Sequence, residues 1–192
     1  MEPMLSKQAA AFFADVLVRN ERITTFIHSD HTYLNAHIAR WMYNRGDVPG
    51  EGMIRVPTHD PRRGGILTMP AVMTATANGV DTSPIVRGVW LLENILGTPP
   101  SPPPPDVEPL SPDLRGAKTI REQLERHRTH EACASCHRKI DPMGFAFENF
   151  DPVGRWRTHY RTDGRPQIDP ATMLPNGDQL ADIVAFKQML LK

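Results

Sequence analysis

The sequence has only two cysteines, no net charge and no long hydrophobic run. Its 22 basic and 22 acidic side chains balance, so no overall positive field points to nucleic acid or to an anionic membrane. No apolar run approaches the roughly 18 residues that a membrane-spanning helix needs. We therefore expect neither a nucleic-acid partner nor a membrane span.

Catalytic signatures are also missing from the sequence. No Ser/His/Asp set, phosphate-binding loop or paired-carboxylate motif stands out in the 192 residues. The first residues contain no apolar stretch of signal-peptide length, and the apolar pattern near the end stops abruptly at Lys192. We expect that the chain is a piece of a longer protein and is not an enzyme by itself.

Proline, in contrast, is abundant, with 19 residues in the chain. The stretch from Pro99 to Pro112 contains the run Pro102 to Pro105 and predicts an extended polyproline II strap. We interpret this strap as a semi-rigid spacer between helices. A ligand for a partner domain with an aromatic groove is the alternative.

Apolar residues recur at helical spacing in several segments, and short strand or turn signals lie between them. The expected class is mainly α with the proline-rich strap and a small β-hairpin. A strand is predicted at 53–56, a hairpin at 154–167 around Asp163-Gly164, and a turn at 174–177. Helices are predicted over 6–18 and 32–43, with Ser6 and Asp30 as candidate caps, and from Pro70 after a close-packed turn at Gly64-Gly65. A further helix is predicted from Pro84 to Gly97, capped by Ser83, with Ile85, Val89, Leu92 and Leu96 on its inward face. Two more are predicted from the cap at Thr119 and from Leu180 to the end, and Asp141 to Gly144 is predicted to be a turn.

The two cysteines stand three residues apart, and a histidine follows the second one, in Cys133-Ala134-Ser135-Cys136-His137. This spacing is the attachment signature of a c-type haem. In a helical turn, positions 133, 136 and 137 share one face. Cys133 and Cys136 are therefore predicted to hold haem c covalently, with His137 as the proximal iron ligand.

Other chemistry fits the same cysteines. His127, His130, Cys133 and Cys136 form a ladder of zinc-ligand types at three-residue steps. In one continuous helix the ends of such a ladder lie about 13 Å apart, too far for one ion, whereas a non-helical knuckle could collect them. A dithiol redox pair and a structural disulfide are further alternatives.

Large apolar residues crowd the stretch behind the motif and suit a jacket for a macrocycle. Beside the cysteine motif they favour haem over zinc, although an ordinary core needs the same types. These residues are Phe145, Phe147, Phe150, Val153 and Trp156.

The far side of the iron can take a second ligand, and a methionine thioether there would raise the reduction potential. Met69 is the predicted distal ligand, because its segment is well separated in sequence from the motif. Met73, Met143 and Met173 are less favoured, and Met143 follows His137 too closely to swing around the macrocycle easily. Five-coordinate or histidine-ligated iron, with the methionines as core residues, is the alternative.

Together with the cysteine motif, several segments resemble the planctomycete-type multidomain cytochrome family, which consists of large exported proteins with tandem domains around haem-c motifs. The resemblance implies a cytochrome c-like helical haem-binding domain over 61–160. It also implies the C-terminal part of a preceding helical domain over 1–60 and the start of a following, truncated domain over 161–192. The similar segments are Arg63 to Thr68, Thr82 to Gly88, Leu92 to Pro100, Asp141 to Phe145 and Glu148 to Asp151.

The family resemblance implies electron transfer in the periplasm or at the cell surface. The implied partners are other domains of the same longer protein and redox partner proteins. A zinc-stabilised structural or interaction domain is the alternative function, and peroxidase-like catalysis would need an open iron position.

Overall fold

The structure, a computed structural model, describes residues 2–102, 117–128 and 131–192. For Glu2, Pro3, His127 and Glu131 to Cys133 it describes the backbone alone. The described residues form seven α-helices and two small antiparallel sheets, with about 41% helix. This composition fits a largely helical chain with a small hairpin. The cytochrome c-like fold stays a prediction.

The chain divides into two compact units. Of the described residues, 2–75, 150–156 and 183–192 form the first unit, and those within 76–149 and 157–182 form the second. Each unit combines segments that lie far apart in sequence. The predicted domain boundaries after residues 60 and 160 stay predictions. Among the described residues, no helix has the length and apolar character needed to cross a membrane.

Helix α1, Glu2–Val18, opens the first unit. Its buried side chains Leu5, Phe12 and Val16 recur at helical spacing. The apolar stripe predicted from Ala9, Ala10, Phe13, Val16 and Leu17 was mostly wrong, since Phe13 and Leu17 are 52% and 61% exposed. The predicted start at Ser6 was wrong, since the helix begins at Glu2 and includes Leu5 in its apolar face. This helix contacts strand β1, His31–Leu34, and helix α3, Pro70–Ala75, of the same unit.

A strand and a short helix replace the single helix predicted for 32–43. Strand β1, His31–Leu34, pairs antiparallel with β2, Ile54–Pro57, which confirms the strand predicted near 53–56. Helix α2, Ala36–Met42, follows, and the side chain of Asn35 caps it by accepting from the amide of Ile38 at 2.9 Å. The predicted cap at Asp30 was wrong because β-pairing holds the intervening residues extended.

The glycine pair at 64–65 makes the close-packed turn that the sequence predicted. Gly64 has a φ of +83°, and a Cβ there would lie 2.0 Å from the carbonyl oxygen of Ser29. Only glycine tolerates this backbone and this approach. The chain then enters α3, Pro70–Ala75, with proline in the first turn as predicted.

The last helix, α7, Ile183–Leu190, is attached to this turn through Lys187. The buried ammonium donates to the carbonyl oxygens of Arg62, Arg63 and Gly64 at 3.1, 2.7 and 2.8 Å. All three protons of the ammonium therefore have an acceptor, as a buried lysine requires.

The second unit is built around helix α4, Pro84–Asn94, and helix α6, Glu131–Phe145. The predicted cap of α4 is confirmed, because the Ser83 hydroxyl accepts from the amide of Val86 at 3.3 Å. The predicted inward face was partly wrong: Leu96 lies beyond the helix and is 36% exposed. The buried positions of α4 are Pro84, Arg87, Gly88, Leu91 and Leu92.

Helix α5, Ile120–His127, begins at the predicted cap, where the Thr119 hydroxyl accepts from the amide of Glu122 at 3.1 Å. The turn predicted at Asp141 to Gly144 was wrong, because α6 continues through Pro142 to Phe145. Proline removes one helical hydrogen bond, but close packing of this segment on α4 keeps it helical.

A small hairpin lies near the end of the second unit. Strands β3, Thr172–Met173, and β4, Gln179–Leu180, flank the predicted turn at 174–177. The hairpin predicted at 154–167 reduces to one bridge between His159 and Gln167 around the turn at Gly164. Most of the predicted proline strap, from residue 103 onward, lies outside the described residues.

Candidate functional site

The cysteine and histidine motif lies within helix α6, so the backbone at positions 133, 136 and 137 is helical. The Cys136 side chain is half-buried and is not in a disulfide. His137 is buried. The helix therefore places the motif residues on one face, with the histidine directed into the second unit.

His137 is oriented by a carboxylate one helical turn further on. Its Nδ1 lies 2.8 Å from Oδ1 of Asp141, which is only 1% exposed. An ionised carboxylate can only accept, so Nδ1 carries the proton in this pair. The lone pair of the imidazole then lies on Nε2. A histidine held in this way by a carboxylate is the usual arrangement of a metal ligand.

A second charged group faces Asp141 from the end of helix α5. Nη1 of Arg128 lies 3.7 Å from Oδ2 of Asp141, an oxygen with no hydrogen-bond partner among the described residues. Arg128 is 29% exposed, whereas the carboxylate is enclosed. The arginine and the histidine thus compensate for the cost of burying this charge.

The predicted apolar jacket is divided between the two units. Phe145 and Phe147 are buried in the second unit, and the guanidinium of Arg121 lies 4.1 Å from the centre of the Phe145 ring. Phe150 and Trp156 belong to the first unit, where their rings meet edge to face at 5.2 Å. The second unit therefore supplies only the first two aromatic residues of the predicted set.

Met69 lies in the first unit, where it is buried against Phe12 and Val16. This packing gives the side chain a role in a hydrophobic core, and its assignment as distal ligand stays a prediction. Among the other methionines considered, Met143 is buried on α6 and Met173 is exposed on β3.

A buried network of polar side chains surrounds the residues that follow α6, and the sequence did not predict it. The enclosed carboxylate of Glu148 accepts from the Thr82 hydroxyl and from Nη2 of Arg157, the latter at 2.8 Å. Arg87 of α4 donates to the carbonyl oxygen of Phe147 at 3.0 Å. Burial raises the pKa of Glu148, while the charges of Arg87 and Arg157 oppose that rise. The network fixes the chain where it leaves α6.

A second group of side chains that could bind a metal lies in the first unit. Donor atoms of Asp15, Glu21 and His31 lie within 4.8 Å of one another. Guanidinium groups already face these carboxylates: Arg19 lies 2.6 Å and Arg55 lies 3.3 Å from oxygens of Asp15. We interpret the cluster as an ion-pair network, because the arginines already supply the positive charge that a metal would bring.

The alternative zinc ladder stays untested. Cys136 is its one member whose side chain the structure describes. His127 and Cys133 are described by their backbones alone, on α5 and α6, and His130 lies outside the described residues. The assignment of Cys133 as a haem attachment residue likewise stays a prediction.

Comparison with known families identifies the middle of the chain. Residues 63–160 match the PSCyt3 family, described as a protein of unknown function (DUF1588). The match covers just over half of the chain, and the chain therefore belongs to this family. The family name suggests a planctomycete cytochrome, while its description assigns no function. No curated protein and no solved structure matches the chain significantly.

Proposed function

We propose that this chain is a c-type cytochrome module that holds one haem through Cys133 and Cys136 and binds the iron through His137. The observation that carries the proposal is the buried hydrogen bond between His137 and Asp141, on the helix that also carries both cysteines. Bound haem would supply reversible one-electron transfer.

The donor set fits this cofactor. A helix brings residues three positions apart back to nearly the same face, with a rise of about 4.5 Å. Asp141 selects the imidazole tautomer whose Nε2 is a ligand, and its burial keeps water from competing for that hydrogen bond. The close packing of α4 against α6 holds this helix in place.

The module would relay electrons within a larger exported redox protein, in the periplasm or at the cell surface. This part of the proposal is supported by the family resemblance. Its partners would be other domains of that protein and separate redox proteins. Electron relay also needs no catalytic set of the kind that the sequence lacks.

Expression in a host that matures c-type cytochromes tests the proposal. We expect a haem absorption spectrum that persists after denaturation, because thioether bonds survive unfolding. The Cys136→Ala variant should lose part or all of this denaturation-resistant signal, while Ser135→Ala, a matched change between the cysteines, should keep it. Stoichiometric zinc without haem in the purified wild type would instead support the zinc alternative.

The His137→Ala variant separates iron ligation from attachment. Both cysteines remain in this variant, so covalent haem should still form. Loss of the proximal imidazole should change the spin state seen in the absorption spectrum. An unchanged spectrum would show that His137 is not the ligand.

A further inference from the structure

The first unit contains a cleft of about 500 Å³ whose lining is rich in arginine. This volume lies within the range of small-molecule sites. The chain as a whole has no net charge, so the arginines are a local concentration. Asp60 is the one carboxylate in the lining, and the arginines are Arg40, Arg45, Arg62, Arg63 and Arg155.

Ion pairs hold several of these guanidinium groups in place. Arg62 binds both carboxylate oxygens of Asp60, at 2.7 and 2.8 Å. Arg45 binds Asp47 in the same way, at 3.0 and 2.6 Å. These fork-shaped contacts fix the orientation of the guanidinium planes. The cleft is therefore bordered by ordered cationic groups.

Two further arginines differ in how they are held. Nε of Arg155 lies 2.9 Å from Oδ2 of the buried Asp151, and the Arg155 side chain is still 41% exposed. Arg40 is exposed on α2 and lines the same cleft. Five arginines against three paired carboxylates leave the cleft with an excess of positive charge.

Aromatic rings complete the lining. Trp41 is 56% exposed, and Trp156 carries the guanidinium of Arg62 at 4.1 Å from its ring centre. Arg63 lies between Tyr43 and Phe150, at 4.5 and 4.7 Å from the ring centres. Stacked guanidinium and indole groups offer flat faces next to hydrogen-bond donors.

We infer that this cleft binds a small anion that carries a ring. The oxyanion, a carboxylate, sulfate or phosphate, would lie on the guanidinium groups of Arg40 and Arg155, and the ring would pack against Trp41 and Trp156. Guanidinium groups suit such oxyanions because their paired N–H donors match two oxygens. This site goes beyond the proposed electron transfer, which requires no anion here.

Calorimetric titration of the full 192-residue chain with three probes tests the inference. Phenyl phosphate carries both features, inorganic phosphate lacks the ring and phenol lacks the charge. We expect phenyl phosphate to bind more tightly than either of the others. Absence of saturable phenyl phosphate binding, or equal binding of all three probes, would overturn the inference.

Two variants identify the groups responsible. Arg40→Gln should weaken phenyl phosphate binding by about tenfold, as expected for losing a charge-assisted contact. Trp41→Leu should weaken phenyl phosphate binding and leave inorganic phosphate binding unchanged. Arg22→Gln, a matched change of an exposed arginine outside the cleft, should have no effect. Equal affinities in all three variants would contradict the site.

The NMR signals of the tryptophan indole N–H groups show independently where phenyl phosphate binds. Phenyl phosphate should shift the signals of Trp41 and Trp156. Trp90 lies on α4 in the second unit and serves as an internal control whose signal should stay. A shift confined to Trp90 would place the ligand elsewhere and overturn the inference.

Discussion

Asp141 lies one helical turn after His137 and is almost completely buried. Its charge therefore acts on the imidazole in surroundings that water screens poorly. A carboxylate that accepts from Nδ1 makes the imidazole a stronger electron donor toward a metal on Nε2. In the proposed haem site this would stabilise the oxidised iron and lower the reduction potential.

The Asp141→Asn variant should consequently raise the reduction potential of the haem-loaded chain. A one-electron potential changes by 59 mV for a tenfold change in equilibrium, so we expect a rise of about 60 mV. Arg128→Gln removes the positive charge 3.7 Å from the same carboxylate and should lower the potential instead. Redox titration followed by haem absorbance measures both. Shifts of the same sign in the two variants would contradict this role.

The burial of Lys187 should make the stability of the protein depend on pH. Burial, followed by the nearby charge of Arg63, lowers the pKa of Lys187 from 10.5 to about 7. Between these two values the unfolded chain holds a proton that the folded chain has released. The free energy of unfolding should therefore rise with pH across this window.

Urea unfolding of wild type and Lys187→Met at pH 7 and about pH 9.5 checks this expectation. The advantage of the wild type over the variant should grow with pH, because only the wild type has the shifted lysine. Lys139→Met, a change of an exposed lysine, should follow the wild type. A constant difference between wild type and Lys187→Met would show that the lysine stays protonated throughout.

The residues of the candidate site differ in how far sequence could predict them. The motif formed by Cys133, Cys136 and His137 was recognisable because its spacing is the attachment signature of a c-type haem. Asp141 lies four residues after His137, a spacing that brings two side chains together in a helix. The sequence did not predict this contact, because Pro142 favoured a turn over a helix at that point. Thr82 and Glu148 are 66 positions apart in the sequence, so no local sequence pattern indicates that they are in contact.

Two glycines let helices α4 and α6 approach each other closely. A Cβ added to Gly88 would lie 2.2 Å from the carbonyl oxygen of Ile140. A Cβ added to Gly144 would lie 1.8 Å from the carbonyl oxygen of Pro84. Both neighbours are backbone atoms, which cannot move aside as a flexible side chain can. The helix that carries the motif is thus positioned by backbone contact.

The Gly144→Ala variant should lower the free energy of unfolding by about 1–3 kcal/mol, the usual cost of overpacking a core. Chemical denaturation of the same preparation measures it. Gly46→Ala is a suitable control, since a Cβ at Gly46 meets nothing within 4 Å. Equal stability of the wild type and Gly144→Ala would show that the two helices can separate without cost.

Helix starts were predictable where the capping residue acts locally. Ser83 and Thr119 cap α4 and α5 as their sequences indicate, because the capping hydroxyl accepts from the amide only three residues further on. Strand β1 and the passage of α6 through Pro142 were not predictable. Both depend on partners distant in sequence, β2 in one case and α4 in the other.

The family match does not coincide with either compact unit of the chain. Residues 63–160 contribute to both units, since 63–75 and 150–156 belong to the first. Composition and periodicity cannot show such an interleaved arrangement, because it arises from contacts between distant segments. The first unit carries the arginine-lined cleft, and the second carries the motif helix.

The proposed function requires one covalently attached haem on this chain. Intact mass spectrometry under denaturing conditions, on chain purified from a host that matures c-type cytochromes, detects that attachment. We predict a single species whose mass exceeds that of the 192-residue chain by one haem group. A bare chain mass, from protein that carries stoichiometric zinc under native conditions, would show that the chain is not a c-type cytochrome.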